Sequence, residues 1–266
     1  MAEAERVLTL VADNPGPLTL DGSRTYVVGE DPCLVIDPGP ALGSHLDAVE
    51  VAVGAADVAA VCVTHWHPDH AAGAAELVAR LGAPLAAMRQ STELAALDPP
   101  EISLADGAEI DFAGGRLCAI AAPGHSPEHV CFHWLEAGAL FTGDTILGEG
   151  TSMIAPPEGN MAAYMNTLER LLELEPSVIY PGHGPPIDEP LRVIEEYIAH
   201  RREREHQVLA ALAAGAQHIA EIRARVYPQL DQRLHRAAEG SVLAHLEKLA
   251  AEGRVAGAQG AYRTLE

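Results

Sequence analysis

The sequence predicts an α/β domain followed by a smaller helical domain, and two observations carry this prediction. Through the first 190 of the 266 residues, short apolar runs typical of β-strands alternate with alanine-rich stretches typical of helices. From Pro190 onward helical patterns dominate and few strands are expected. The composition, 48% hydrophobic, is that of a globular chain long enough to bury a large core.

The predicted strands are short runs bounded by Gly, Pro or polar residues. They are RVLTLVA, RTYVVG, CLVID, VAAVCVTH, RLCAIAA, VCFHW, ALFTG and SVIYPG. Residues 71–82, which are rich in alanine, are a predicted helix. Residues 160–176 are a second predicted helix, because their apolar residues recur with a period of about 3.6. We place this α/β domain at residues 1–194.

The tail, residues 195–266, is predicted to be a winged-helix-like domain. A long helix is expected to end at Gly215, a residue type favoured after a helix C-terminus. Two shorter helices follow, and RVAGAQGAYRTLE is predicted as a small hairpin. Matching glutamates in the HRRERE run, residues 200–205, predict a solvated helix face there.

The formal net charge is −21, and its distribution limits the choice of partner. Residues 1–190 hold six Lys or Arg against 28 acids, whereas the rest hold eleven against ten. A domain that repels polyanions is not expected to bind long nucleic acids through their phosphates.

The N-terminus lacks a basic region followed by an apolar stretch, and no window of the sequence is apolar over the length of a membrane span. We therefore expect a cytoplasmic protein without membrane association, whose four cysteines are reduced.

The stretch VCVTHWHPDHAAG, residues 61–73, places four potential metal ligands in six positions: His65, His67, Asp69 and His70. His65 and His67 are predicted to project to the same side of an extended segment, with Asp69 and His70 at the start of a helix. Imidazoles and a carboxylate at a strand end suit a divalent metal such as zinc. The alternative is an accidental polar turn.

Three further segments argue against an accidental cluster. His125 in PGHSPEH, Asp144 in FTGDTIL and His183 in YPGHGPP each follow a predicted strand and lie in a turn that contains glycine. Strand ends along one edge of a sheet can converge on one cleft. We therefore predict that these residues and the HxHxDH segment form one site.

The ordered set HxHxDH, His, Asp, His resembles the signature of the metallo-β-lactamase fold superfamily, which implies a four-layer αβ/βα sandwich. The ligands that the resemblance implies are His65, His67 and His125 for one metal, Asp69, His70 and His183 for a second, and Asp144 as the bridge. A bridging Asp is typical of the glyoxalase II, lactonase, ribonuclease and thioesterase branches. Residues 147–190 and YIAHRREREHQVL are similar to the lactamase-beta-like branch with a winged-helix tail, which includes an endoribonuclease and thioesterases.

The predicted function is a dinuclear zinc-dependent hydrolase that uses a metal-bridging hydroxide on a small ester, thioester or lactone. Two divalent ions lower the pKa of a shared water toward about 7, and Asp69 can both bind a metal and orient that water. Manganese or iron would also suit the donor set. The alternative is a metal-dependent single-strand endoribonuclease, favoured by the whole-chain similarity and by arginines in the tail. The tail is expected to shape substrate access or to form a homodimer.

Other polar residues are candidates for supporting the site or contacting the substrate. Asp37, after the strand CLVID, is a candidate to fix the tautomer of a ligand histidine, with a turn-forming role as the alternative. His129 is expected to support the site or to be structural. Tyr164 and Asn166, after the loop 148–160, are candidate substrate contacts, with packing as the alternative for Tyr164. The histidines expected at the surface are His45, His200, His206, His218, His235 and His245.

Overall fold

The computed structural model describes residues 7–89, 100–258 and 260–265, and it divides into two compact units. The first unit is the chain up to Ala122 together with Glu128–Thr151 and Leu174–Leu191. The second unit is Pro123–Pro127, Ser152–Glu173 and the chain from Arg192. These units are not continuous in sequence, so the domain boundary between residues 194 and 195 stays a prediction.

The first sheet of the first unit has six strands within the described residues, in the order of the chain. They are β1 (Val7–Val11), β2 (Arg24–Val28), β3 (Cys33–Ile36), β4 (Val58–Cys62), β5 (Leu85–Met88) and β6 (Ile102–Leu104). The first three strands are antiparallel, and β3 to β6 are parallel. The parallel part directs the carboxyl ends of β3 and β4 toward the same edge.

The second sheet has five strands within the same ranges, in the order β11-β10-β9-β8-β7. They are β7 (Glu109–Phe112), β8 (Gly115–Ala121), β9 (Val130–Trp134), β10 (Ala139–Gly143) and β11 (Val178–Pro181). Only β10 and β11 pair in parallel among these neighbours. Their carboxyl ends therefore also share an edge.

The two sheets bury their facing side chains in one apolar core. Tyr26 of the first sheet packs edge-on against Phe141 of the second, with ring centroids 5.3 Å apart, and its hydroxyl donates to the Pro181 carbonyl at 2.6 Å. The other face of the first sheet packs against α1 (Gly43–Val53) and α3 (Ala74–Leu81), through residues such as Leu46 and Leu77. Strand residues alternate between these two cores, as a pleated strand requires.

The second unit has its own core, built mainly from helices. Its elements are α4 (Met161–Glu173), α5 (Pro190–Ala213, from Arg192 onward), α6 (Ile219–Val226), α7 (His235–Ala251), β12 (Val255–Ala258) and β13 (Ala261–Thr264). The predicted hairpin and the helices of the tail are present. In the parts of the chain that the structure describes, no helix has the length and apolarity to cross a membrane.

Several polar residues expected at the surface are buried. Arg201 is 3% exposed, so the prediction of a solvated face is wrong at this position of α5, and His45 and His245 are likewise buried. Burial, and then the charges of Arg201 and Lys248, lower the pKa of His245 to about 3. His245 is therefore a neutral imidazole in the folded protein at neutral pH.

His245 should make the protein more sensitive to acid. Its pKa is depressed on folding, so its contribution to stability is fully present above about pH 6.5 and is lost as pH falls toward 3. The loss approaches about 1.4 kcal/mol per pH unit. We expect His245→Leu to flatten the decline of unfolding free energy between pH 7 and pH 5, measured by urea denaturation. His206→Leu, an exposed position on α5, is the matched control, and parallel profiles for the parent and His245→Leu would contradict the prediction.

Candidate metal centre

Polar side chains of the first unit lie just beyond the ends of strands. Asp37 directly follows β3, Asp144 directly follows β10, and His183 lies two residues after β11. His65 lies three residues after β4, and His70 belongs to the short helix α2 (Pro68–Ala71) that follows it. The parallel pairs β3–β4 and β10–β11 thus supply loops from both sheets.

Asp69, His70 and His183 form one group, whose potential ligand atoms all lie within 4.8 Å of one another. The Nε2 atom of His183 is 3.2 Å from Asp69 Oδ2 and 3.2 Å from His70 Nε2. Both imidazoles are fully buried, whereas the Asp69 side chain is 28% exposed. Asp69 is therefore the carboxylate of this group that solvent reaches.

Asp144 lies between this group and a second pair of histidines. Its Oδ1 atom is 3.3 Å from Nε2 of both His70 and His183. Asp144 also lies within 4.8 Å of the ligand atoms of His65 and His67. His65 Nε2 and His67 Nδ1 are 3.0 Å apart. A bridge between two metals would have to occupy this position, although the bridging role itself stays a prediction.

The buried carboxylate of Asp37 orients His70 through the ring nitrogen that faces away from the cluster. Its Oδ2 accepts hydrogen bonds from His70 Nδ1 and from the Thr64 hydroxyl, both at 2.8 Å, and its Oδ1 accepts from the Thr64 N–H at 2.8 Å. A carboxylate can only accept here, so Nδ1 of His70 carries the proton. In the neutral ring the lone pair of His70 is then on Nε2, which faces Asp144 and His183.

Hydrogen-bond partners also determine the tautomers of His65 and His183. The Thr64 hydroxyl donates its hydrogen bond to Asp37, so its oxygen accepts one from His65 Nδ1 at 3.0 Å. The Gly22 carbonyl accepts from His183 Nδ1 at 3.3 Å. Both rings therefore direct an Nε2 lone pair into the cluster, as metal-binding imidazoles do.

The electrostatics of this cluster fit a cation. Two imidazole lone pairs and carboxylate oxygens of Asp69 and Asp144 converge within 3.7 Å, which is repulsive without positive charge between them. Burial alone would lower the pKa of His70, but the charges of Asp144 and Asp37 raise it well above its ordinary value. The cluster therefore attracts positive charge strongly, and its imidazole and carboxylate donors are those of a divalent metal site.

His129 contacts the cluster without joining its ligand groups. It is fully buried, and its Nε2 accepts a hydrogen bond from the Asp144 backbone N–H at 3.1 Å. Its ring stacks on His65, with centroids 4.7 Å apart and an interplanar angle of 23°. This arrangement is consistent with the predicted supporting role.

The remaining predicted residues belong to the second unit. His125 lies in Pro123–Pro127, and its Nδ1 donates to the Met153 carbonyl at 2.9 Å, which leaves the lone pair on Nε2. Its assignment as a metal ligand stays a prediction. On α4, Tyr164 is fully buried under the Arg201 guanidinium, which favours its packing alternative, whereas Asn166 is exposed.

Sequence reasoning missed the residues that make room for these contacts. Gly143 has a φ of +47°, and a Cβ there would lie 2.5 Å from Thr64 Oγ1. A Cβ on Gly182 would lie 2.6 Å from His70 Cε1. The sequence features that could have indicated these residues are the glycine directly before each of Asp144 and His183, and the threonine directly before His65.

Comparison with known proteins agrees with this geometry. Residues 18–183 match the family model of the metallo-beta-lactamase superfamily, and residues 219–262 match that of the beta-lactamase associated winged helix domain. The chain belongs to the metallo-β-lactamase superfamily and carries its associated winged helix, and the prediction of a hydrolase of this superfamily is confirmed. Membership in this superfamily also implies divalent metal ions.

Individual relatives cover nearly the whole chain. The Beta-lactamase-like protein 2 homolog of Caenorhabditis elegans is 30% identical over 261 residues, covering 95% of this chain and 86% of the relative. The atrochrysone carboxyl ACP thioesterase of Passalora fulva is 34% identical over 265 residues, covering 94% and 77%. A metallo-beta-lactamase family protein from Thermus thermophilus matches with a TM-score of 0.81 at 24% identity, over 97% of this chain and 98% of that one. The last likeness confirms the predicted fold.

Asp37 should control metal affinity without touching the metal. In Asp37→Asn an amide NH₂ must face at least one of the three donors that the carboxylate now accepts from, so His70 or Thr64 loses its hydrogen bond. We expect metal affinity to fall about 10- to 100-fold. Competition with a chromogenic chelator measures this, and Asp111→Asn, an exposed position on β7, is the matched control. Equal affinities for Asp37→Asn and the parent would show that the contact does not orient a ligand.

Proposed function

We propose that the protein is a dinuclear, zinc-dependent hydrolase of a small ester, thioester or lactone. The observation that carries this proposal is the position of Asp144 Oδ1, equidistant from His70 Nε2 and His183 Nε2 and close to the His65–His67 pair. We assign one metal to His65, His67 and His125. The second metal is assigned to Asp69, His70 and His183.

The donor set supports zinc, with manganese or iron as alternatives, since imidazole and carboxylate accept all three. When bound, two divalent ions would supply Lewis acidity, which would make a water nucleophile available near neutral pH and polarise the substrate oxygen.

The residues of the chain contribute positioning and charge. Asp69, the solvent-accessible carboxylate, is placed to accept a proton from an attacking water and to orient its lone pair. Asp144 would supply negative charge between the two cations and so offset their repulsion. Asp37 keeps His70 in the tautomer whose Nε2 donates to a metal. No serine nucleophile is required.

Two observations support a small acyl substrate. The relative from Passalora fulva is named as an acyl carrier protein thioesterase, and it aligns with 94% of this chain. In addition, residues 1–190 hold 28 acids against six Lys or Arg, which disfavours a polyanionic substrate. We propose cytoplasmic action on such a substrate, without membrane association.

A substrate panel tests this function directly. Metal-loaded protein is incubated with acyl thioesters, esters, lactones and single-stranded RNA, and the metal content is measured by elemental analysis. We expect acyl hydrolysis and two divalent ions per chain. Cleavage confined to RNA would reverse the order of the two candidate functions, and no more than one ion at saturation would exclude the dinuclear model.

Asp144→Ala should lower metal content and activity together. Removing the carboxylate leaves two cations without the negative charge between them, so we expect loss of at least one ion and a decrease in kcat of at least about 100-fold. Asp111→Ala and His200→Ala, both outside the ligand groups, are controls that should retain both properties. Full activity and full metal occupancy in Asp144→Ala would show that this residue is not the bridge.

The alternative function is a metal-dependent single-strand endoribonuclease. A winged-helix domain with exposed arginines on and near α6 and α7 favours it, because such residues can contact phosphates. However, Arg233 is paired with Asp231 at 2.9 Å, and Arg223 lies 3.4 Å from Glu239, which reduces the charge available for RNA. We therefore propose that the tail serves packing, substrate access or homodimer formation.

Substitution of the tail arginines separates these roles. We expect Arg233→Ala and Arg236→Ala to change neither acyl hydrolysis nor any RNA cleavage by more than about twofold, since the tail is proposed to make no phosphate contact. Initial rates on both substrate classes measure this. A steep loss of RNA cleavage across sequences, with acyl hydrolysis intact, would instead assign the tail to nucleic-acid binding.

A further inference from the structure

A cavity of about 420 Å³ lies within the second unit, and its walls come from α4, α5, α7 and the turn after α7. Its volume is in the range of pockets that hold small organic molecules. None of the predicted metal ligands lines it. The cavity is therefore a separate feature of the second unit.

Most charges of the cavity wall neutralise one another. Lys248 Nζ contacts Glu205 at 2.5 Å and Glu252 at 2.6 Å, and Arg254 pairs with the same two carboxylates. Arg202 pairs with Glu169 at 2.9 Å. The charges of these six side chains sum to zero within their ion pairs, so they leave no net charge for a ligand.

Arg201 is a buried cation that contacts no carboxylate among the residues that the structure describes. Within the described residues its contacts are a hydrogen bond from Nη2 to the Ser152 carbonyl at 2.5 Å and the Tyr164 ring, 5.2 Å from the guanidinium carbon. Its Nε has no hydrogen-bond partner there, and the residue is 3% exposed. A buried charge in this condition is destabilising unless an anion joins it.

His245 lies on the same cavity wall and also lacks polar partners. It is 1% exposed, and neither ring nitrogen has a hydrogen-bond partner among the described residues. As a neutral imidazole it offers one N–H donor. Both Arg201 and His245 line the cavity, and the charge of Arg201 helps to lower the pKa of the His245 ring. The pair therefore combines one positive charge with a second donor.

Two methionines give the cavity an apolar wall. Met161 and Met165 are 2% and 8% exposed and line the cavity from α4. Methionine side chains adapt to varied apolar shapes. A ligand that fits this cavity thus needs both a single negative charge and an apolar body.

We propose that this cavity binds a small organic carboxylate, with its carboxylate against Arg201 and His245 and its apolar body against Met161 and Met165. A guanidinium matches the planar geometry of a carboxylate, and one negative charge would balance the positive charge of Arg201. A carboxylic acid is also the product of ester or thioester hydrolysis, so the cavity would bind the product class; only this last point rests on the proposed function.

Methionine-methyl NMR locates the binding independently of catalysis. The sequence has five methionines, including Met88 in the first unit and Met153 in the segment that contacts His125. Metal-stripped protein with ¹³C-labelled methyl groups is titrated with acetate, butanoate, hexanoate or inorganic phosphate. We expect hexanoate to shift the Met161 and Met165 signals saturably and to leave Met88 unchanged.

The ligand series tests the negative charge and the apolar body of the ligand separately. Hexanoate should bind at least about tenfold more tightly than acetate because its chain buries more methylene groups. Phosphate, which has no apolar body, should bind more weakly than hexanoate. Equal affinities across the series, or shifts confined to Met88 or Met153, would overturn the proposal.

Variants test the contact with the charge of the ligand. Arg201→Gln should weaken hexanoate binding about tenfold or more, whereas Arg192→Gln, an exposed position on the same helix, should not change it. If Arg201→Gln fails to fold, His245→Leu provides the second test, since it removes a donor but fills the space with an apolar side chain. Undiminished hexanoate binding by a folded variant of either residue would overturn the proposal. Because the metal is absent, these results do not depend on whether the protein hydrolyses acyl substrates.

Discussion

The geometry of the candidate metal centre depends on the hydrogen bonds that the Asp37 carboxylate accepts. Its oxygens accept hydrogen bonds from the backbone and hydroxyl of Thr64 and from His70, and so connect the loop after β3 to the loop after β4 and to α2. Asp37 adopts a φ of +51°, a conformation that costs energy for a residue with a side chain. The surrounding contacts, including the Thr25 hydroxyl that donates to the Asp37 carbonyl at 2.6 Å, stabilise this conformation.

Much of the site was predictable because its ligands follow strands. A histidine or aspartate placed after an apolar run and beside a glycine is directed to the end of a sheet, whatever the details of packing. The contributions of Thr64 and Gly143 were not predictable in the same way, since they depend on distances between segments far apart in sequence. The tautomers of His65 and His70 likewise follow only from observed partners.

The strands that the sequence analysis missed have physical reasons in common. β5 has the sequence LAAM, β6 has ISL, and β7 has EIDF, so each is short and lacks a long β-branched run. A short apolar segment cannot be distinguished from part of a helix by periodicity alone. Their assignment depends on pairing with neighbouring strands.

The spacing of residues along α5 predicts that Arg201 is buried, although the alternating arginines and glutamates around it suggest a solvated face. Ile194, Ile198, Arg201, Glu205 and Val208 recur every three or four residues along α5, so Arg201 occupies the apolar face of the helix. This position lets Arg201 bind the carbonyl of Ser152, the residue before Met153, whose own carbonyl accepts from His125. Two hydrogen bonds to neighbouring carbonyls, from Arg201 and from His125, thus connect α5 to a predicted metal ligand within the same unit.

The ion-paired Lys248 is the only lysine in the sequence, and the other 16 of the 17 Lys and Arg residues are arginines. Its side chain is 16% exposed, and although burial opposes the charge, the bonds to Glu205 and Glu252 raise the pKa of the ammonium group. Activated acyl compounds modify amines only in their unprotonated form, and guanidinium groups stay protonated. The protein therefore presents a single side-chain amine to such compounds, and that amine resists acylation because it is held charged and largely covered.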